Sequence, residues 1–472
     1  MIPVAAGEVA AWVGGSLVGQ DCLVGPDVVT DSRLATAGAL FVARRGEHSD
    51  GHRFVAGAAS GGAVAAIVDH MVDVPITQIV VPDVMTAFQV VARHAVEAGL
   101  ANGLTVLALT GSSGKTSTKD LLAQILEPVG PTVSPLNSYN GQVGLPLTVA
   151  GVTSSTRFLV AEMGASHVGE IAALCAIALP FAAAVLNVGH AHIGEFGSQG
   201  AIAAAKGEIV EALPPDGWAV LNADDPLVAA MAPRTKASIV WFSATGRPPA
   251  DARRWVAAQD VVLDDLDRAS FTLTGADADT QFALPVRLAT LGAHQVANAC
   301  AAAALAWCAG VAPEAIAAGL NAALPRSGAR MELHRLAGGA LLLNDAYNAN
   351  PDSVAAALAA LSRLMAARPG CRAGAVLGDM LELGDESASA HRQIGWLAAR
   401  TGAQVVAVGQ FASEIVAGAR RADGEAHAMQ RADVADWLAS KSFDLILVKG
   451  SRDTGLRLVV GALVDSQGEE PQ

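Results

Sequence analysis

Short apolar segments alternate with alanine-rich helical stretches along most of the chain. Apolar runs of a few residues, bounded by polar or glycine positions, are typical of buried strands, and their alternation with helices predicts parallel sheets with helical crossovers. The longest apolar stretch, residues 171–188, is interrupted by Pro180 and Asn187. It therefore favours a helix followed by a buried strand over a membrane span.

This pattern falls into three regions, and 472 residues are enough to give each region its own core. Residues 1–103 predict a small N-terminal α/β domain, residues 104–325 a central parallel-sheet domain, and residues 326–472 a C-terminal Rossmann-like, doubly wound domain. We therefore expect an α/β protein of three domains. The apolar runs place strands at residues 63–68, 78–81, 104–109, 340–343, 373–377, 405–408 and 445–448.

A phosphate-binding loop is predicted at the start of the central region, which makes it a P-loop ATPase domain. The β-rich run 105–110 is followed by Gly111-Ser-Ser-Gly-Lys-Thr116, and a helical pattern covers residues 117–126. Glycines let backbone N–H groups converge on phosphate oxygens, and the helix N-terminus adds partial positive charge. Lys115 can reach the terminal phosphates of ATP, and the Thr116 hydroxyl can coordinate Mg²⁺. The GxxGKT loop is shorter than the usual pattern, but its strand–loop–helix setting favours ATP binding over a structural turn.

Further polar residues stand where a buried strand ends or inside an apolar helix. Glu162 ends one apolar run, His190 and His192 follow another, and Lys206 is alone in an alanine-rich helical stretch. A carboxylate is a natural Mg²⁺ ligand, whereas histidine is an atypical one. Taken singly, each residue has an ordinary alternative as a surface charge or as a hydrogen-bonded loop residue.

Composition narrows the function classes. The formal net charge is -14 and no basic run stands out, which argues against nucleic acid and anionic membrane surfaces as partners. The five cysteines form no CxxC pair, which fits a reducing compartment better than a disulfide framework or a zinc site. The start of the chain lacks a charged segment followed by a long apolar core, so we expect no signal peptide and a cytoplasmic protein.

Taken together and in chain order, these segments resemble the Mur ligase family of peptidoglycan synthesis over nearly the whole chain. A phosphate loop alone would be promiscuous, but this series of motifs is specific. The resemblance is carried by Thr30-Asp-Ser-Arg33, Gly38-Ala-Leu-Phe41, Asp50-Gly-His52, Thr110-Gly-Ser-Ser-Gly-Lys-Thr-Ser117, Ser138-Tyr-Asn-Gly-Gln-Val-Gly144, Glu162-Met-Gly, Asn187-Val-Gly-His-Ala-His192-Ile-Gly-Glu-Phe-Gly-Ser198, Ala205-Lys206-Gly-Glu208, Asn222-Ala-Asp-Asp225, Gly292-Ala-His294-Gln-Val-Ala-Asn298, Arg330, Asn344-Asp345-Ala-Tyr347-Asn-Ala-Asn350-Pro, Leu377-Gly-Asp379-Met-Leu-Glu-Leu-Gly384 and Lys449-Gly-Ser-Arg452.

Within the family, the chain is most similar to the ligases that attach D-alanyl-D-alanine to UDP-N-acetylmuramoyl-tripeptide. It carries Tyr347-Asn-Ala-Asn-Pro351 where the neighbouring ligases that add the third residue typically show His-Thr-Pro-Asp, and it lacks their Asp-Asn-Pro-Arg motif. Two positions depart from the family pattern. Gly141 stands where a second Asn is common, and His190 stands where a small residue or Pro is expected, so we assign the metal-binding role to His192.

The resemblance implies an ATP-dependent, ADP-forming ligase that makes an amide bond. In such enzymes the donor carboxylate takes the γ-phosphate of ATP, and an incoming amine attacks the resulting acyl phosphate. The resemblance also implies two Mg²⁺ ions, one held by Thr116 and Glu162 and one near His192 and a carbamylated Lys206. Burial among alanines would favour the neutral amine that carbamylation requires.

The resemblance also implies a set of binding residues for each ligand. We expect a monomer that binds small molecules, without nucleic acid and without stable membrane insertion. The first domain would hold the uridine nucleotide and the third domain the dipeptide. Nucleotide contacts are implied for Gly111, Ser112, Ser113, Gly114, Lys115, Thr116, Ser117, Asn298, Arg330 and Asp345. Substrate contacts are implied for Ser32, Arg33, Asn140, Tyr347, Asn348 and Asn350.

Three other interpretations share part of this pattern. A small-molecule kinase would also have the phosphate loop but would need neither a lysine carbamate nor an amine-binding domain. Folylpolyglutamate synthetase has the same chemistry but would lack the Thr-Asp-Ser-Arg segment that ends at Arg33. A non-catalytic nucleotide-binding protein would be expected to lose Lys115, Glu162 or Lys206, and all three are present. The histidines outside the motifs, such as His334 and His391, are expected at the surface.

Overall fold

The computed structural model describes residues 1–46, 49–135 and 138–468. Within these residues the strands form four sheets, and three of the sheets follow one another along the chain. Short 3₁₀ turns occur at Ser32–Leu34, Gly51–Phe54, Ala232–Arg234, Gly384–Glu386 and Arg452–Thr454.

The first region contains a mixed sheet and a small antiparallel pair. The sheet runs in the order β2-β7-β6-β5-β4, in which β2 is antiparallel to β7 and the other neighbours are parallel; β1 pairs with β3. The elements are β1 Val4–Ala5, α1 Ala6–Trp12, β2 Ser16–Val18, β3 Leu23–Val24, β4 Val28–Val29, β5 Leu40–Val42, α2 Val55–Ser60, β6 Ala65–Val68, β7 Thr77–Val80 and α3 Val84–Ala101.

The central region is built on the largest sheet. Its order is β16-β15-β14-β13-β12-β11-β8-β10-β9, parallel from β9 to β14 and antiparallel from β14 to β16. The elements are β8 Thr105–Thr110, α4 Lys115–Leu126, β9 Thr132–Val133, α5 Gly144–Val149, β10 Phe158–Glu162, α6 Glu170–Ile177, β11 Ala182–Val185, α7 Ile193–Phe196, α8 Gln199–Glu211, β12 Trp218–Asn222, α9 Pro226–Ala229, β13 Ser238–Ser243, β14 Trp255–Leu263, β15 Arg268–Ala276, β16 Gln281–Leu291, α10 Gln295–Cys308 and α11 Pro313–Ala322.

The third region carries a sheet in the order β17-β18-β22-β19-β20-β21, parallel except for the edge strand β17. The elements are β17 Glu332–Arg335, β18 Leu341–Asp345, α12 Pro351–Ala366, β19 Ala373–Leu377, α13 Ser387–Arg400, β20 Gln404–Ala407, α14 Ala412–Arg420, β21 Ala426–Ala428, α15 Arg431–Lys441, β22 Leu445–Lys449 and α16 Arg457–Gln467.

The predicted α/β fold class and the predicted strands are confirmed. Each predicted strand is present with ends within two residues of those expected, and residues 171–188 form a helix followed by a buried strand. No helix among the described residues is both long enough and apolar enough to cross a membrane.

One part of the central region departs from the expected helix–strand alternation. The strands β14, β15 and β16 form an antiparallel meander at the sheet edge. In β15 the side chains alternate between buried and partly exposed over much of the strand, the period of a half-buried antiparallel strand. The turn between β14 and β15 has its own signal, because the Asp264 carboxylate accepts hydrogen bonds from the N–H groups of Leu266 and Arg268.

The central and third sheets bring their strand ends to one place. Glu162 ends β10 and the phosphate loop follows β8, whereas Asp345 and Lys449 end β18 and β22 of the third sheet. All of these residues line a single cleft between the two sheets. Ligands of open α/β sheets bind outside the carboxyl ends of the strands, so this cleft is the candidate site.

Candidate active site

The phosphate loop has a geometry that only glycine allows at one position. Gly114 has φ +81°, and a Cβ added there would lie 2.4 Å from Oδ1 of Asn298. The Lys115 ammonium donates a hydrogen bond to the Gly111 carbonyl at 2.6 Å. Burial lowers the pKa of Lys115, the neighbouring Glu162 carboxylate opposes this effect, and Arg330 adds to it. The loop therefore holds a lysine that gains from an anionic partner.

A second loop, which follows β11, braces the phosphate loop. The Asn187 side chain accepts a hydrogen bond from the Ser113 N–H at 2.9 Å and donates one to the Ser113 carbonyl at 3.1 Å. The Gly189 N–H donates to the Ser112 hydroxyl at 2.9 Å. These bonds connect residues about 75 positions apart in the chain, and they fix the loop before any ligand binds.

Glu162 and Thr116 form a compact oxygen cluster under the loop. The Thr116 hydroxyl donates to Oε2 of Glu162 at 2.9 Å, and the Asn140 amide donates to Oε1 at 2.8 Å. Ser138 lies 3.0 Å from the Thr116 hydroxyl and accepts a hydrogen bond from Arg330 at 2.6 Å. A hydroxyl and a carboxylate beside a phosphate loop match the donors that Mg²⁺ takes in nucleotide sites.

Lys206 is buried in α8, near the charge of Lys115. Its side chain is 2% exposed, and none of the described residues makes a hydrogen bond or ion pair with its Nζ. Burial in the first place, and the neighbouring charge of Lys115 in the second, hold the pKa of Lys206 well below its usual range. This shift favours the neutral amine, which is the form that reacts with carbon dioxide.

His192 lies in the loop that follows β11, lines the cleft and contacts the third domain. It precedes α7 with a left-handed backbone (φ 60°), and its Nδ1 contacts the Glu382 carboxylate. The Gly194 N–H also donates to the Glu382 carbonyl at 2.9 Å. The hydrogen bond from His192 lowers the pKa of Glu382. In this arrangement Glu382 takes one ring nitrogen of His192, which leaves the other nitrogen for a ligand.

The third domain supplies an ion pair at its strand ends. The Lys449 ammonium is 2% exposed, and it donates to Oδ2 of Asp345 at 2.6 Å and to the Asn348 carbonyl at 3.0 Å. The Met331 N–H donates to the other oxygen of Asp345 at 3.2 Å. Lys449 thus holds both Asp345 and the segment that follows it.

The Tyr347-Asn-Ala-Asn-Pro segment leads from β18 into α12. The guanidinium of Arg330 lies 4.0 Å from the centre of the Tyr347 ring, and that of Arg457 lies 4.7 Å from it. Asn350 is 8% exposed, and its Oδ1 accepts the Ser353 N–H at 2.8 Å as the cap of α12. The side-chain oxygen of Asn350 thus caps α12, whereas Tyr347 lines the cleft.

The cleft has a volume of about 570 Å³ and collects most of the predicted site residues. Lys206, Gly111, Ser32 and Arg33 are not among its lining residues in the described part of the chain. The predicted residues that line it are Ser112, Ser113, Gly114, Lys115, Thr116, Ser117, Asn140, Glu162, His192, Asn298, Arg330, Asp345, Tyr347, Asn348 and Asn350.

The first domain places its two predicted residues away from the cleft. Ser32 and Arg33 lie in the 3₁₀ turn after β4, and the Arg33 side chain is 87% exposed and pairs with Asp31. This hydrogen bond from Arg33 lowers the pKa of Asp31 to about 2. His52 is buried, with Nδ1 2.7 Å from Asp50 and Nε2 accepting the Asp69 N–H at 3.0 Å. The Asp50-Gly-His52 motif therefore supports the structure of the domain.

Sequence reasoning was wrong about one histidine and missed several contacts. His391 is not at the surface: it is fully buried, stacks on Phe411, and accepts the Met380 N–H at 2.8 Å, so it holds the loop that carries Glu382. Lys449 ends an apolar strand as Glu162 does, a signal that could have identified it as a site residue. The partners of His190 and His192 lie in another domain, and no local pattern indicates them.

Comparison with known proteins agrees with this architecture. Three family models match: the Mur ligase family, catalytic domain at residues 27–107, the Mur ligase middle domain at residues 109–306, and the Mur ligase, glutamate ligase domain at residues 329–452. A relative from Mycobacterium tuberculosis, named UDP-N-acetylmuramoyl-tripeptide--D-alanyl-D-alanine ligase, is 40% identical, with 98% of each chain covered.

Solved structures agree as well. The crystal structure of MurF from Acinetobacter baumannii matches with a TM-score of 0.85 and 33% identity, and it covers 98% of this chain and 99% of that one. The structure of MurF ligase from Thermotoga maritima in complex with ADP matches with a TM-score of 0.76 and 26% identity, covering 93% and 97%. The family predicted from the motifs is thereby confirmed. The chain belongs to the Mur ligase family.

Proposed function

We propose that this chain uses ATP to join D-alanyl-D-alanine to UDP-N-acetylmuramoyl-tripeptide, which gives the UDP-muramoyl-pentapeptide and ADP. The observation that carries the proposal is one cleft. The phosphate loop, the Tyr347-Asn-Ala-Asn-Pro segment and Lys449 all line it. The name of the relative from Mycobacterium tuberculosis and that of a D-alanyl-D-alanyl ligase structure from Acinetobacter baumannii support the same activity.

The first step is phosphoryl transfer from ATP to the tripeptide carboxylate. Phosphoryl transfer depends mostly on positioning and on neutralising charge. The loop amides from Ser112 to Gly114 would cradle the phosphates, and Lys115 would turn from the Gly111 carbonyl to the terminal phosphates. Asn298, Arg330 and Asp345 line the same cleft and would contact the nucleotide.

The donor set suits two magnesium ions. The hydroxyl of Thr116 and the carboxylate of Glu162 are 2.9 Å apart and would hold one ion. The low pKa of Lys206 suits its reaction with carbon dioxide, in which the amine nitrogen bonds to the carbon and one proton is released. That carbamate, with the free ring nitrogen of His192, would hold the second ion. When bound, the ions neutralise the phosphate oxygens and orient them.

The second step is attack of the dipeptide amine on the acyl phosphate, with phosphate as the leaving group. Tyr347 and Asn348 line the cleft and can form hydrogen bonds with the peptide amide and the terminal carboxylate of the dipeptide. The side-chain amide nitrogen of Asn350 is a further donor. A single D-alanine would leave these groups without partners, and an unpaired buried polar group costs about 1–3 kcal/mol. Water would compete for the acyl phosphate, which is why closed domains benefit the reaction.

The three domains divide the remaining work. We assign the uridine nucleotide to residues 1–103 through Ser32 and Arg33, ATP to residues 104–325, and the dipeptide to residues 326–472. Asn140 would contact the donor near Glu162. We further propose that the protein is a monomer and that it works in the cytoplasm, where ATP is available.

The test is ADP release with a panel of donors and acceptors. UDP-muramoyl-tripeptide with D-alanyl-D-alanine should be preferred over single D-alanine by at least about 10–100-fold in kcat/KM. Diaminopimelate with the UDP-muramoyl-dipeptide serves as the competing pair. Preference for that pair would overturn the assignment of the substrates and leave the ATP chemistry in place.

A further inference from the structure

One contact joins the acceptor side of the cleft directly to the brace of the phosphate loop. Asp352, in the first turn of α12, reaches from the third domain to the loop that follows β11. Its Oδ2 accepts the backbone N–H of His190 at 2.8 Å, and its Oδ1 lies 3.2 Å from Nδ1 of the His190 ring. The carboxylate thus takes two contacts from one residue of the other domain.

On the central-domain side, the contact is next to a residue that is hydrogen-bonded to the phosphate loop. His190 follows Gly189, whose N–H donates to the Ser112 hydroxyl at 2.9 Å. A Cβ added at Gly189 would lie 2.2 Å from Oδ2 of Asp352. The close approach of the carboxylate therefore depends on the absence of a side chain at Gly189.

On the third-domain side, the contact is next to the Tyr347-Asn-Ala-Asn-Pro segment, which we call the acceptor segment. Asn350 and Ser353 cap the start of α12 with reciprocal hydrogen bonds of 2.8 and 3.1 Å. Asp352 lies inside this cap, four residues after Asn348. The cap makes the helix start and the acceptor segment one unit, so a shift of Asp352 moves that unit with it.

We propose that Asp352 is a positioning residue that sets the distance between the acceptor segment and the phosphate loop. The inference rests on the proposed function, because it takes the incoming amine to be bound by the third domain. Both side chains of the contact are more than 40% exposed, at 44% for His190 and 42% for Asp352. An exposed pair adds little to the stability of the fold. The effect of the His190–Asp352 pair is instead on where the incoming amine lies relative to the acyl phosphate.

The experiment compares Asp352→Ala and Gly189→Ala, which break the same contact from opposite sides. Each variant should lower kcat/KM for D-alanyl-D-alanine by about 10-fold or more, because a misplacement near 1 Å can cost about 100-fold. In Asp352→Ala, the KM for ATP and the melting temperature should stay at the wild-type values. The double variant should lose no more than the stronger single variant, since both remove one interaction.

Two further variants separate positioning from other roles. Asp352→Asn keeps an oxygen that can accept the His190 N–H, so it should retain more activity than Asp352→Ala. Asp433→Ala removes an exposed acid from the first turn of α15 in the same domain and should behave as wild type. Equal losses in Asp433→Ala and Asp352→Ala would mean that only the charge at a helix start matters, and would overturn the proposal.

The remaining outcomes are also decisive. Wild-type kinetics in Asp352→Ala would show that the contact positions nothing. Loss in Asp352→Ala with normal kinetics in Gly189→Ala would make Asp352 a direct substrate contact, contrary to the proposal. A wild-type protein that does not use D-alanyl-D-alanine would refute the proposed function itself, and that result is seen before any variant is made.

Discussion

The two walls of the cleft are held in place in different ways. The central wall is braced from within: Asn187 makes two hydrogen bonds to Ser113, and Glu162, which is 1% exposed, accepts from Thr116 and Asn140. These bonds are buried or partly buried and involve one domain only. The nucleotide half of the site is therefore preorganised in the absence of a ligand.

The third-domain wall is rigid internally, and both buried and exposed groups join it to the central domain. Arg330 donates to Ser138, and Arg363 pairs with Asp267, which is 1% exposed. Lys449 and Asp345 form a buried pair inside the domain, whereas Asp352 and Glu382 cross to the central domain with 42% and 48% of their side chains exposed. Exposed ion pairs contribute about 0–1 kcal/mol each. Breaking the Asp352 and Glu382 contacts alone therefore costs little stability.

The first prediction tests the preorganised wall. Lys115→Ala removes the charge that we assign to the terminal phosphates, so turnover should fall by about 100-fold or more. The melting temperature should be unchanged, because the only hydrogen bond lost among the described residues is the one to the Gly111 carbonyl. ADP release measures the effect. Lys236→Ala, at an exposed lysine of the same domain, is the matched control. Near-normal ADP release by folded Lys115→Ala would refute the phosphate-loop assignment.

The second prediction concerns the buried lysine of the same wall. Lys206→Ala should lower activity by about 100-fold, comparable to the removal of one preorganised catalytic group, and a short added carboxylate should restore part of it by replacing the lost oxygens. Protein incubated with ¹³C-bicarbonate should give a carbamate carbon signal that Lys206→Ala lacks. Lys206→Arg, which cannot form the carbamate, should resemble the alanine variant. Full activity of the arginine variant would exclude the carbamate.

The third prediction tests whether the acceptor wall is rigid within its own domain. Lys449→Met leaves the Asp345 carboxylate without its cation in a largely buried place, so the free energy of unfolding of the third domain should fall by about 3 kcal/mol. The KM for the dipeptide should rise, since Asn348 loses a contact as well. Urea unfolding measures the stability.

A double variant is the control for this third prediction. Adding Asp345→Asn to Lys449→Met removes the orphaned charge and should recover part of the stability. Unchanged stability in Lys449→Met would mean that the pair is dispensable, and the contrast between the two walls would then be weaker than the geometry indicates.

Much of the central wall could be predicted because its chemistry is contiguous in the chain. The phosphate loop lies between a strand and a helix that both have clear patterns, and Glu162 ends an apolar run that is a buried strand. The antiparallel meander of β14–β16 was missed, although the Asp264 turn is a local signal for it. Here the error was one of interpretation and not of missing information.

The acceptor wall depends on pairings that no local pattern contains. His391 lies 11 residues after Met380, and it stacks on Phe411, which precedes α14. The partners Glu382 and Asp352 are 190 and 162 residues away from His192 and His190, respectively. Polar residues of this kind look like surface positions until the fold supplies the partner.

The sequence alone therefore determined the three α/β regions, the family, the phosphate loop and the strand-end Glu162, because each follows from periodicity or from a short motif. Only the tertiary structure decided how the domains and strands meet. The Asp352 carboxylate lies close to Gly189, and His192 contacts Glu382, in both cases between domains. Lys449 pairs with Asp345 between two strands of the third domain. The physical reason is that these contacts join separate domains or separate strands, and their geometry depends on how those elements pack and not on the order of residues along the chain.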